Sequence, residues 1–194
     1  MSLLIYGKGF NDAGYSIKKG SRPYGDRRVK IEWECPFYVK WKSMLARCYS
    51  KSYQKTQPTY KGCQVCEEWL TFSNFKAWME QQDWEGKELD KDLLGDGKLY
   101  SPDNCCFLSR RLKALLKNSS GVYVKKGYKN KKYVAQISMD CKKMHLGYFA
   151  SESEARKAYI DKRNEIINIF ITEEGVEVQE RWLAMRHNEK VEKS

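Results

Sequence analysis

Residues 88–109, ELDKDLLGDGKLYSPDNCCFLS, constrain this chain more than any other stretch. Two short apolar-edged segments, ELDKDL and NCCFLS, read as strands, and the residues between them are rich in Gly, Asp and Pro, which close turns. RRLKALLK follows at once with apolar residues at helical spacing. The expectation is a strand, a turn, a second strand and then a helix.

Upstream, residues 37–49 predict a helix with Phe37, Trp41, Met44, Leu45 and Cys48 on one face. Residues 66–82 predict a second, with Trp69, Phe72, Phe75, Trp78 and Met79 on its apolar side. Rings that share one helical stripe are expected in a core rather than on a base-stacking platform. KSYQKTQPTYKG, between the two helices, reads as loop. Residues 1–35 are rich in Gly and Lys with little apolar periodicity, and are expected to form a poorly packed basic arm.

Charge points to a partner. The chain has 194 residues, enough for one or two small domains with real cores, and its 36 Lys and Arg against 25 Asp and Glu give a net charge of +11. The excess is concentrated: between Asp103 and Asp140 there is no acidic residue, while Arg110, Arg111, Lys113, Lys117, Lys125, Lys126, Lys129, Lys131 and Lys132 all fall there. A block of this kind attracts phosphate by counterion release, with affinity that falls steeply as salt rises. No amphipathic basic helix coincides with it, so a membrane surface is not the expected partner. Neither a signal peptide nor a transmembrane run is visible, which predicts an intracellular protein.

Seven cysteines in a reducing compartment read as thiols or metal ligands, because an odd count leaves one unpaired. Cys63 and Cys66 have the gap of a zinc knuckle, but no second Cys-x-x-Cys follows; only the adjacent Cys105 and Cys106 do, and strand alternation sends neighbours to opposite faces. Buried free thiols are the expectation, and structural zinc is not.

The hairpin-plus-helix segment resembles the motif of HNH nucleases, in which such a unit holds one metal ion. Asp90 matches that family's metal-binding aspartate, Lys91 stands where its general-base histidine belongs, Asn104 matches its structural asparagine, and Lys113 falls near its helical ligand. Asp92 and Asp96 are alternative sources of the carboxylate. A histidine can take a proton from water near neutral pH, whereas a solvated lysine with a pKa near about 10.4 is already protonated. A lysine charge also competes with Mg²⁺ for the Asp90 carboxylate. The resemblance therefore implies a degenerate site, with Mg²⁺ or Mn²⁺ as the cofactor if cutting survives.

FYVKWKSMLARCY (37–49) and PTYKGCQVCEEWLTFSNFKAWMEQQ (58–82) resemble the region preceding the hairpin in bacteriophage HNH endonucleases. Residues 121–166, with Gly121-Val122, Tyr133-Val134-Ala135-x-Ile137, Leu146-Gly147-x-Phe149 and Glu154-Ala155-x-x-Ala158-Tyr159, resemble the plant Apetala-two/ethylene-response DNA-binding domain. Homing endonucleases join these modules in this order.

The expected fold is α+β: a basic arm (1–35), an HNH-like ββα module with flanking helices (36–118), a three-stranded antiparallel sheet with one packed helix (119–171), and a C-terminal helix or tail (172–194). Strands are expected at 121–126, 132–139 and 142–149, and a helix over 151–170 packed through Ala155, Ala158, Tyr159, Ile166 and Ile167. On the family's pattern the groove-facing residues are Tyr123, Lys125, Lys131, Tyr133, Gln136, Ser138 and Lys143, with Arg110, Arg111 and Lys117 on phosphate. His145 is expected to pack or touch phosphate, and His187, in a polar helix near 174–192, is a poor substitute base. Two functions follow from the resemblance: a site-specific double-stranded DNA binder acting by occupancy, or an endonuclease or nickase that still cuts. Either would work in the cytoplasm of an infected bacterial cell.

Overall fold

The structure, a computed structural model, describes residues 4–21, 30–94, 97–117, 121–127, 130, 132–139, 142–175, 178–180 and 182–183. It is α+β with small sheets and divides into two units, Met1–Glu85 with Leu89–Phe107, and Gly86–Glu88 with Leu108–Ser194. The division falls at Phe107/Leu108 rather than after Asn118. The helix that follows the hairpin thus belongs with the second unit.

Aromatic packing organises the first unit. Helix α1 (Pro36–Tyr49) begins on a proline, whose fixed φ suits a first turn and whose missing N–H would have had no helical partner there. Tyr38, Trp41, Met44, Leu45 and Cys48 recur at steps of three and four and are all buried. Ser50 ends α1 and starts α2 (Lys51–Thr56), its hydroxyl accepting the Tyr53 N–H at 3.3 Å. Helix α3 (Phe72–Glu80) brings Phe72, Phe75 and Met79 against α1. The rings meet tilted or edge-on, Trp41 with Phe72 at 5.4 Å and Trp69 with Phe75 at 5.1 Å and 89°. The Trp41 indole donates to the Trp69 carbonyl at 2.7 Å, so its polar end is satisfied in a site with no exposure.

The predicted helix over 66–82 is broken. A 3₁₀ turn covers Glu68–Leu70, Thr71 is extended, and α3 starts only at Phe72. The cause is the N-terminal segment, which is anchored to the helices through Gly9, Phe10 and Asp12. Phe10 N–H donates to the Leu70 carbonyl at 2.8 Å and the Phe10 carbonyl accepts from Phe72 N–H at 3.0 Å, pulling Thr71 into a bridge. Asp12 then caps α3, accepting the Ser73 N–H at 2.9 Å and the Ser73 hydroxyl. Gly9 lies so close to α1 that a Cβ there would stand 2.3 Å from Leu45 Cδ1. Strands β1 (Lys18–Ser21) and β2 (Lys30–Glu34) pair antiparallel ahead of α1. Further along the chain, β3 (Gln64–Val65) runs parallel to β5 (Leu99–Tyr100), and β4 (Glu88–Asp90) pairs with β6 (Cys106–Leu108).

In the second unit β7 (Val122–Val124), β8 (Tyr133–Met139) and β9 (Lys142–Phe149) form an antiparallel sheet in that order, within one residue of most expected bounds. Helix α5 (Glu152–Glu173) opens with a capping box, Ser151 and Glu154 satisfying each other's backbone N–H groups. It buries Ala155, Tyr159, Ile166, Ile167 and Phe170, and it packs on all three strands. Gly121, at φ +52, has the Tyr159 ring 2.1 Å from where a Cβ would sit, so no other residue fits as drawn. Helix α4 (Arg110–Leu116) is tied at both ends. Ser109 N–H at its start donates to the Glu174 carboxylate at 2.9 Å, and Arg163 donates to the Leu115 and Leu116 carbonyls at 2.6 and 2.9 Å. Residues 178–180 and 182–183 are helical; the rest of the predicted C-terminal helix, including His187, lies outside the described residues, as do Lys131 and Asp96. Among the described residues no helix is long and apolar enough to cross a membrane.

Candidate nucleic-acid interface

Asp90 ends β4 with only 6% exposure. One of its oxygens accepts the backbone N–H of Asp92 and of Leu93, each at 3.0 Å, so the carboxylate closes the turn that follows the strand. Lys91 is not solvated as its residue type suggests: it is 5% exposed, and its ammonium donates to Asp92 while lying 5.5 Å from the Tyr60 ring and 5.6 Å from the Tyr100 ring. Burial by itself would lower its pKa, but the hydrogen bond and charge of Asp92 outweigh burial and hold it above the ordinary lysine value. Lys91 is therefore a cation at any neutral pH and has no lone pair with which to activate water. Asn104 lies half-buried before β6, its N–H donating to the carbonyl and hydroxyl of Ser101 at 3.2 and 3.3 Å.

Lys113, on α4 of the second unit, lies 3.6 Å from Glu88, which also accepts from Arg110 at 3.1 Å. Burial would raise the Glu88 pKa; the two cations more than offset it and hold the carboxyl below its usual value. Both basic side chains are thus partly neutralised. Arg111 stacks over Phe170 at 4.7 Å, and Lys117 is exposed at the end of α4. Among the described residues no three His, Cys, Asp or Glu side chains are grouped so as to hold a metal ion. Mg²⁺, which takes water and phosphate oxygens for much of its shell, does not need such a group.

The sheet of the second unit carries the other candidate residues, and its register sorts them. Tyr123 pairs with Val134 and Val134 with Tyr148; Gln136 pairs with His145 and Ser138 with Lys143. Paired residues share a face and successive residues along β8 change face, so these rows lie on one face of the sheet, with Val134 buried and Gln136 half-buried within it. On it Tyr123 is 45% exposed and Tyr148 37%, with Ser138, Lys143 and His145 also exposed. Lys125 Nζ donates to the Tyr148 hydroxyl at 3.0 Å, and the His145 and Tyr148 rings lie 4.7 Å apart. Ala135 and Ile137 occupy the other face, buried under α5. Tyr133 has the parity of Ala135 and Ile137, and so lies opposite Gln136 and Ser138 rather than among them.

Tyr148 is absent from the residues expected from sequence because β9 contains a bulge. Register slips between Ala135 and Gln136, leaving Leu146 unpaired, so the open face runs Lys143, His145, Tyr148 instead of continuing at every second residue. No known family matches the chain, and neither does any curated protein or solved structure.

Proposed function

We propose that this chain is a sequence-specific double-stranded DNA-binding protein of HNH homing-endonuclease descent, with a disabled cleavage site, acting by occupancy. The observation that carries the reading is the open face of the second unit: tyrosines, His145, Gln136 and Ser138 flanked by Lys125 and Lys143, on a sheet whose other face is buried. A rigid sheet with hydrogen-bonding and aromatic side chains in rows can enter a major groove, where base edges are distinguishable. Lysines at its margin and on α4 supply phosphate contacts, which position the protein without reading sequence. The loss of cutting is supported by Lys91, a buried ammonium engaged by Asp92 at the position where a base is required.

Gel-shift titration of duplex DNA over a salt series tests binding. The logarithm of affinity should fall linearly with log salt by several units of slope, and Lys125→Ala with Lys143→Ala should flatten it. A flat response of the unmodified chain sinks the nucleic-acid reading. Plasmid incubated with Mg²⁺ or Mn²⁺ tests cleavage: the unmodified chain should leave it intact, and Lys91→His with Lys113→Asn should raise nicking. Robust metal-dependent cutting by the unmodified chain, abolished in Asp90→Ala, would make it an active endonuclease instead.

A further inference from the structure

We infer that Arg47, with Lys91 and the phenols of Tyr60 and Tyr100, forms a binding site for a phosphate group in the first unit. Arg47 sits in the last turn of α1, half-buried. Its guanidinium lies 5.7 Å from the Tyr60 ring centre, and one terminal nitrogen reaches the Tyr100 hydroxyl at 3.5 Å, the long limit of a hydrogen bond. Its Nε is buried with no hydrogen-bond partner, and among the described residues no acidic side chain forms a salt bridge with it. Lys91 lies over the same Tyr60 and Tyr100 rings, and the carboxylate beside it, Asp92, is taken by its ammonium. Two cations therefore share one aromatic wall, and among the described residues Asp92 forms the salt bridge to Lys91.

A cation drawn out of water without a counter-ion is costly to keep, and an orphaned arginine donor calls for an ion or water. The arginine fork matches tetrahedral phosphate with two parallel hydrogen bonds, and tyrosine hydroxyls donate to its remaining oxygens. Nothing in the packing of α1 requires an arginine there, since its buried stripe runs through Trp41, Met44, Leu45 and Cys48 and leaves position 47 outside. The phosphate could be a DNA phosphodiester, which rests on the proposed function, or a free phosphate or nucleotide, which does not.

Nitrogen-15 NMR of the arginine Nε–H groups of the full chain separates these. Sodium phosphate, against sodium chloride at matched ionic strength, should shift and saturate one signal, assigned to Arg47 by its loss in Arg47→Lys. The same variant should weaken duplex DNA binding about tenfold at fixed salt, the size expected for charge-assisted hydrogen bonds. Saturation by phosphate with unchanged duplex affinity in Arg47→Lys assigns the site to a free phosphate, and titration with a deoxynucleoside monophosphate should then shift the same signal. A chain that takes phosphate but binds no duplex sinks the DNA reading and leaves the site standing. No phosphate-specific shift in the unmodified chain, a result that needs no variant to fold, overturns the proposal.

Discussion

The two units use their aromatic residues in opposite ways. In the first, Trp41, Trp69, Phe72 and Phe75 are at most 1% exposed and pack on each other, so their rings supply stability. In the second, Tyr159 and Phe170 are buried on α5 among mostly aliphatic residues, whereas Tyr123 and Tyr148 stand outward at 45% and 37% exposure beside His145 and Lys125. An aromatic-rich chain therefore says little about contact with bases until each ring has a face. The helical stripe of the first unit and the bulged register of the second assign those faces.

Truncating an inward ring should have the largest effect. Trp41→Ala removes a side chain with no exposure that touches Tyr38 and Phe72 and donates to the Trp69 carbonyl, and large-to-small core changes of this kind cost about 3–5 kcal/mol. Denaturant melts should show this loss in the first unit. A loss below about 1 kcal/mol would mean that the unit's stability does not rest on its ring cluster.

Next is Gly121→Ala in the second unit. The substitution adds a Cβ 2.1 Å from the Tyr159 ring at a positive φ, so both overpacking and backbone strain oppose it, together about 2–4 kcal/mol. If the melting profile of the second unit does not move, the junction between the first strand of its sheet and α5 is not as tight as drawn.

Much of this architecture was legible in the sequence, and the illegible parts share a cause. Helices α1 and α5 follow from stripes and caps local to them, and the sheet strands from their alternation and turn residues. The break at Thr71 does not, because Phe10 imposes it from far away in the chain. Lys91 misleads for a related reason: residue type predicts solvation, but Tyr60 and Tyr100, distant in sequence, close over it. Tyr148 is lost to a bulge that only cross-strand pairing reveals, and Tyr133 is misplaced because a strand cannot put residues 133 and 136 on one face.

A smaller effect is expected at Lys91. In Lys91→Met the aliphatic stem and its ring contacts are retained, and the partner left behind, Asp92, is 67% exposed and stays hydrated. Removal should therefore cost under about 1 kcal/mol, far from the penalty for orphaning a buried charge. The sign of the pH dependence agrees. A lysine whose folded pKa is raised contributes fully below its unfolded pKa and loses that contribution only as pH climbs through the folded value, so the difference between Lys91→Met and the unmodified chain should stay constant from about pH 6 to 9. A difference that grows or shrinks across that window would mean Lys91 titrates within it, and would return it to consideration as a proton acceptor.

The smallest change in stability, and the sharpest division between the two kinds of ring, is expected from Tyr148→Phe. It keeps the ring beside His145 and deletes only the hydroxyl that accepts from Lys125 at 3.0 Å on an exposed surface. Surface changes of this sort stay within about 0.5 kcal/mol, so the melting profile should not move. Duplex DNA selection should, because that hydroxyl fixes Lys125 along the rim of the open face and can itself reach a base edge. The measurement is the ratio of affinities for a selected site and a scrambled duplex at one salt concentration. A fall in that ratio with unchanged stability marks Tyr148 as a reading residue. A fall in affinity for both duplexes by the same factor would instead place the Lys125–Tyr148 pair on the phosphate backbone and move sequence reading to Gln136, Ser138 and Lys143.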